Sequence, residues 1–101
     1  MNNILSKEDI IARLIPVFSE NGIKKAILFG SYASGSQTEG SDIDILVDSG
    51  LHGLRFFGLL EDVCNTLGKP VDLIDVYQLK SGCEMERNIQ ETGVLIYEQS
   101  R

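Results

Sequence analysis

The sequence predicts a small α+β fold, a mixed β-sheet flanked by helices, as a single domain over residues 1–101. Three observations lead there. Short apolar or alternating runs at 23–29, 42–47, 71–76 and 94–97 have the length and pattern of strands. Stretches with apolar residues at helical spacing lie before and between them. The 101 residues suffice to bury roughly two-thirds of the unfolded surface without metals or disulfides.

The chain in order supports this. Ser6 is placed to cap a helix, acids follow in its first turn, and Leu5 and Ile10 can form a hydrophobic staple. Ile10 or Ile11, Leu14, Val17 and Phe18 then recur at helical spacing, and Asn21-Gly22 stops the helix. Pro16, inside that pattern, is expected to kink or loosen the last turn. Residues 23–29 form the first strand, and 32–41 hold a short helix followed by a Gly/Ser/Thr loop. The second strand covers 42–47, and Asp48-Ser49-Gly50 turns out of it.

From Leu54 to Leu67, Phe57, Leu60, Cys64 and Leu67 mark the expected inner face of a helix. Gly58 weakens it by around 1 kcal/mol relative to Ala, and Gly68 with Pro70 ends it. The mostly apolar run 71–76 suits a buried strand, and 81–90 reads as a helix with Met85 and Ile89 as its apolar pair. Glu91-Thr92-Gly93 turns into the last strand, 94–97. His52, beside Gly53 in a loop, is expected to be exposed.

Composition narrows the function. A hydrophobic content of 43% is ordinary for a globular chain and excludes the disordered class. The net charge of −6 argues against a surface that grips nucleic acid, which relies on Lys and Arg. Cys64 and Cys83 lack metal-like spacing and read as free buried thiols. The first nine residues carry no apolar core of signal-peptide length, and no apolar run approaches a membrane span. These features place the expectation in the cytoplasm.

The chemistry concentrates in residues 29–47. An apolar run ending at Phe29 meets Gly30-Ser31, and the segment closes on Asp42 and Asp44 in alternation with Ile43, Ile45 and Val47. Successive strand side chains point to opposite faces, so the two acids share one face. Carboxylates about 5 Å apart repel by roughly 3 kcal/mol at an effective dielectric near 20. A hard cation such as Mg²⁺ relieves that repulsion and brings substrate phosphates with it. A helix beginning near Ser31 favours an anion at its first amides, with Gly30 allowing close approach. In 71–76, Asp72 and Asp75 fall on opposite faces, so at most one can join Asp42 and Asp44; spacing alone leaves the choice open.

Gly-Ser, ten residues and Asp-x-Asp form the signature of the DNA polymerase beta-like nucleotidyltransferase superfamily. The wider Phe-Gly-Ser-Tyr-Ala and Ser-Asp-Ile-Asp-Ile-Leu-Val resemble its smallest branch, the minimal nucleotidyltransferases of the MntA antitoxin type. The likeness runs from about Ile23 to Tyr97. It implies a nucleotidyltransferase-like fold in which Asp42 and Asp44 bind Mg²⁺ and nucleotide, Gly30 and Ser31 hold phosphates, and Asp72 is the third catalytic carboxylate of a two-metal site. It also implies a reaction, the transfer of AMP from ATP to a tyrosine hydroxyl of a HEPN-type ribonuclease toxin. The chain ends about where such a core ends, so a separate protein is expected to supply the acceptor.

One departure stands out. The family usually has Arg after Ser-x-Ala, where this chain has Ser34, and no basic residue follows in 35–40. Lys69, Arg55 and Arg87 are candidates to reach the phosphates from elsewhere in the chain. The alternative expectation is therefore a catalytically weak module that neutralises a HEPN partner by binding alone.

Overall fold

The computed structural model describes residues 5–99. Of the stretch read for targeting, Met1–Ile4 lies outside the described residues. The elements run α1 (Lys7–Glu20), β1 (Lys25–Phe29), α2 (Ser31–Ser34), β2 (Ile43–Asp48), α3 (Leu54–Leu67), β3 (Val71–Asp75), a 3₁₀ turn (Val76–Gln78), α4 (Glu84–Thr92) and β4 (Val94–Glu98).

The sheet has the order β3-β2-β1-β4 and is mixed, as expected. β1 pairs antiparallel with both β2 and β4, whereas β2 and β3 run parallel. A parallel pair requires a crossover, and α3 supplies it. Ile43, Ile45 and Val47 of β2, Ala26 and Leu28 of β1, and Val71 and Leu73 of β3 join one buried cluster with Ile10, Leu14 and Phe18 of α1. The other face carries Ile27, Phe29, Asp44 and Leu46, which are register partners across β1 and β2. α4 lies beside that second face, where the backbone at Gly93 passes so close to Ile27 that a Cβ would touch its methyl group.

Local chemistry explains the ends. Ser6 and Asp9 form a reciprocal capping box at the start of α1, and Leu5 packs against the core. α1 continues through Pro16 to Glu20 rather than loosening there. Pro16 and Ala12, whose carbonyl Pro16 cannot bond, are both exposed, so water can satisfy that carbonyl. β1 is two residues shorter than expected, although Ile23 is still fully buried ahead of it.

Three further expectations are corrected. α3 buries Phe56, Leu59, Val63 and Leu67, while Phe57 is 63% exposed and Leu60 and Cys64 flank the core. The sequence is apolar on adjacent helical stripes, and packing against α1 and β3 selects the stripe one residue earlier. α4 begins at Glu84, with Cys83 as its N-cap, and takes in Thr92. The 81–83 segment turns through Gly82 at φ 78°, a left-handed conformation that a helix interior does not hold. The two thiols are free but half-buried rather than buried. His52 is exposed, with its ring 5.0 Å from that of Tyr77.

The stripe selected in α3 is measurable. Leu59→Ala should destabilise the protein by about 2–4 kcal/mol in urea unfolding, and Phe57→Ala by no more than ~0.5 kcal/mol. Equal costs would mean that the face assigned to the core is wrong.

Candidate active site

The site is built where three segments meet. β1 ends at Phe29, and Gly30 turns the chain into α2 with φ 78° and ψ −154°. A Cβ on Gly30 would collide with the Asp44 carboxylate, so this turn and this acid are in direct apposition. Both the backbone angles and the contact demand glycine. Ser31 and Tyr32 lead α2, where backbone amides lack intrahelical acceptors.

β2 and β3 place the acids. In their parallel register Asp44 stands opposite Asp72, on the face away from the buried cluster. Asp42 precedes β2 and is exposed at the rim. Asp75 goes to the other face: it is 2% exposed and accepts from the backbone N–H and hydroxyl of Ser49. Its second oxygen accepts from the Tyr77 N–H and caps the 3₁₀ turn. The two acids of β3 thus divide, as strand alternation requires, with Asp72 beside Asp44 and Asp75 tying the far ends of β2 and β3 together.

This proximity has an electrostatic consequence. Burial, then the facing Asp72 carboxylate, then the Asp42 charge push the Asp44 carboxyl up from 3.8 to about 6. Asp72 acts on Asp44 more strongly than Asp42 does, so the strongest pairing joins β2 to β3. Among the described residues, no three His, Cys, Asp or Glu side chains close into a complete metal cage. An all-oxygen set of one or two carboxylates nevertheless fits Mg²⁺, which completes its shell with water and substrate phosphates. Asp44 and Asp72 could hold such an ion, with Asp42 at the rim.

Two clefts reach Asp44. One, of about 370 Å³, is lined by Asp44, Asp72, Leu60, Ile74 and Met85 among others. The second, of about 330 Å³, is lined by Phe29, Asp44, Glu84, Met85 and Asn88. Glu84, Asn88 and Thr92 form an i, i+4, i+8 polar stripe along α4. Sequence reading passed over them because it sought the apolar face of that helix; the polar periodicity was the available signal.

The basic candidates fare differently. Lys69 Nζ donates to the Tyr32 hydroxyl at 2.7 Å and to the Ser41 carbonyl at 3.0 Å, linking α2, the approach to Asp42 and the approach to Asp72. Arg55 lines a separate cleft with Glu20, Glu61 and Asp62. Arg87 lies exposed on α4. Ser34 is exposed and folds back, its hydroxyl donating to the Ser31 carbonyl at 3.3 Å and lying 2.9 Å from the Ser36 hydroxyl.

A family model described as polymerase beta, nucleotidyltransferase matches residues 12–101. The chain belongs to this nucleotidyltransferase family. A relative from Methanocaldococcus jannaschii, provisionally named a protein adenylyltransferase, is 44% identical over 71 residues, covering 65% of this chain and 73% of its own. A crystal structure of a toxin–antitoxin complex with AMP-PNP superposes with a TM-score of 0.74 at 25% identity, over 88% of this chain and 73% of the other. A tri-AMPylated Shewanella oneidensis HEPN toxin in complex with an MNT antitoxin gives 0.69 at 21% identity, over 92% and 73%. The mixed sheet of this nucleotidyltransferase agrees with that fold. Among the described residues, no helix is long and apolar enough to cross a membrane.

The raised Asp44 value fixes the sign of a pH effect. The folded state holds a proton that the unfolded chain has released, so this stabilisation is complete below pH 3.8 and lost as pH rises through about 6. In chelator-treated buffer, Asp44→Asn should therefore be more stable than wild type at pH 7, by on the order of 1–2 kcal/mol after solvent screening. The gap should close toward pH 4. Urea unfolding at both pH values is the measurement, and a gap independent of pH would show that Asp44 is not under this strain.

Proposed function

We propose that this chain transfers AMP from ATP to a hydroxyl of a HEPN-type ribonuclease toxin, a tyrosine in our reading, and so acts as its antitoxin. The apposition of the Gly30 turn with Asp44, itself facing Asp72, carries the proposal. It sets the leading backbone amides of α2 beside paired carboxylates. Support for the acceptor comes from the adenylyltransferase relative and from the complexes of toxin with antitoxin.

In this mechanism the amides after Gly30 and the Ser31 hydroxyl orient the triphosphate. Asp44 and Asp72, joined from the rim by Asp42, would hold Mg²⁺, which when bound neutralises phosphate charge and stabilises the attacking and leaving oxygens. Asp72, the more exposed of the facing acids, accepts the proton of the incoming hydroxyl. The hydroxyl oxygen forms a bond to the α-phosphorus, the bond from that phosphorus to the β-phosphate bridge breaks, and pyrophosphate departs. Positioning is a large part of such catalysis, and a docked protein acceptor supplies its own.

A second reading has one observation behind it. Ser34 stands exposed where a family Arg would meet phosphate, and its hydroxyl turns back onto α2. A module with weakened phosphate binding could still silence a HEPN partner by covering it. Intact mass spectrometry of the partner, incubated with this chain, ATP and Mg²⁺, separates the two. The enzyme reading predicts a gain of one or more adenylyl groups, lost in Asp44→Asn and Asp72→Asn variants that remain folded. A partner inhibited without any gain in mass, equally by wild type and variants, would establish the binding module instead.

A further inference from the structure

α4 buries none of its residues fully, yet it stands over the site with Glu84, Met85 and Asn88 in the clefts that reach Asp44. Its C-terminal end runs into β4 beside β1, and there it makes a contact with the phosphate turn. The contact in question joins residues 62 apart in sequence: the Gly30 N–H donates to the Thr92 hydroxyl at 2.9 Å. The single Thr92 hydroxyl proton is directed back along α4, to the Asn88 carbonyl at 2.8 Å, with the Asn88 side-chain oxygen at 3.1 Å. With its proton so engaged, the hydroxyl presents lone pairs to Gly30. On its other side Gly30 lies against the Asp44 carboxylate. The turn is therefore bonded to an acceptor on α4 and packed against an acid on β2.

We propose that Thr92 is a positioning residue for nucleotide binding, holding the Gly30 turn so that the amides of α2 and the Asp44 carboxylate address the same triphosphate. The inference rests on the nucleotidyltransferase reading above. Thr92 touches neither phosphate nor acceptor in this role. It acts through Gly30, and its loss affects binding of the nucleotide more than the chemical step. Valine has the shape of threonine without the acceptor, so Thr92→Val leaves the Gly30 N–H unpartnered while preserving volume. Serine retains the acceptor.

Two readouts test this on the full chain. The first needs no nucleotide: hydrogen exchange at the Gly30 amide, followed by NMR, should quicken three- to tenfold in Thr92→Val, as loss of one hydrogen bond predicts. Thr92→Ser should match wild type. The second is steady-state adenylylation, in which Thr92→Val should raise KM for ATP by a similar three- to tenfold, with kcat within twofold. Thr92→Ser should restore KM.

Unchanged exchange at Gly30 would overturn the proposal. So would an unchanged or lowered KM, the latter meaning that Thr92 withholds an amide the phosphate can use. A common fall in kcat for both variants would assign Thr92 to the fold in general, also against the proposal. Should wild type show no nucleotide binding, the functional reading fails first, and Gly30 exchange still decides the role of Thr92.

Discussion

Two carboxylates held face to face across parallel strands are the constraint on which this site depends. The β2–β3 register sets Asp44 beside Asp72, and no side-chain rotation can remove either acid from that face. The fold accepts the resulting repulsion because the surrounding strands are anchored elsewhere. Ile43, Ile45, Val71 and Leu73 bury the opposite face, and each fully buried aliphatic side chain contributes about 1.5–3 kcal/mol. At the far end of the same pair, Asp75 takes two bonds from Ser49 and one from Tyr77, which fastens β3 to β2 beyond the acids.

The rest of the architecture serves that register. Parallel pairing is possible only because α3 carries the chain back across the sheet, and its Phe56–Leu67 stripe fixes where it lies. Lys69, between α3 and β3, donates to the Tyr32 hydroxyl and the Ser41 carbonyl, so it ties together the approaches to Asp72, Asp42 and the phosphate turn. Gly30 completes the arrangement by letting the backbone touch Asp44. Ser34 brings no positive charge to the phosphate turn, and Lys69 supplies it near the rim, although its donors already serve the scaffold.

Most elements were legible because their signals are local. Ser6 and Asp9, Asn21-Gly22 and Gly68 mark helix ends by backbone chemistry that needs no tertiary partner. The division of Asp72 from Asp75 followed from strand alternation, although which of them joins Asp44 needed the family resemblance or the sheet itself. The α3 face was misread by one residue because Phe56 and Phe57 offer two nearly equivalent apolar stripes, and only packing against α1 and β3 distinguishes them. The α4 stripe went unread for a related reason. The polar periodicity of Glu84, Asn88 and Thr92 signals a stripe but not its role, because Thr92 bonds to Gly30, 62 residues earlier.

The sharpest measurement is the melting temperature with and without Mg²⁺ and ATP, for wild type and for Asp42→Asn with Asp44→Asn. If the facing acids are strained for lack of a cation, metal and nucleotide bind the folded state and raise the wild-type melting temperature by linkage. The double variant should fold, by circular dichroism, and show no such rise. An equal rise in both proteins would contradict the account, because the ligand would then be held by groups other than these carboxylates.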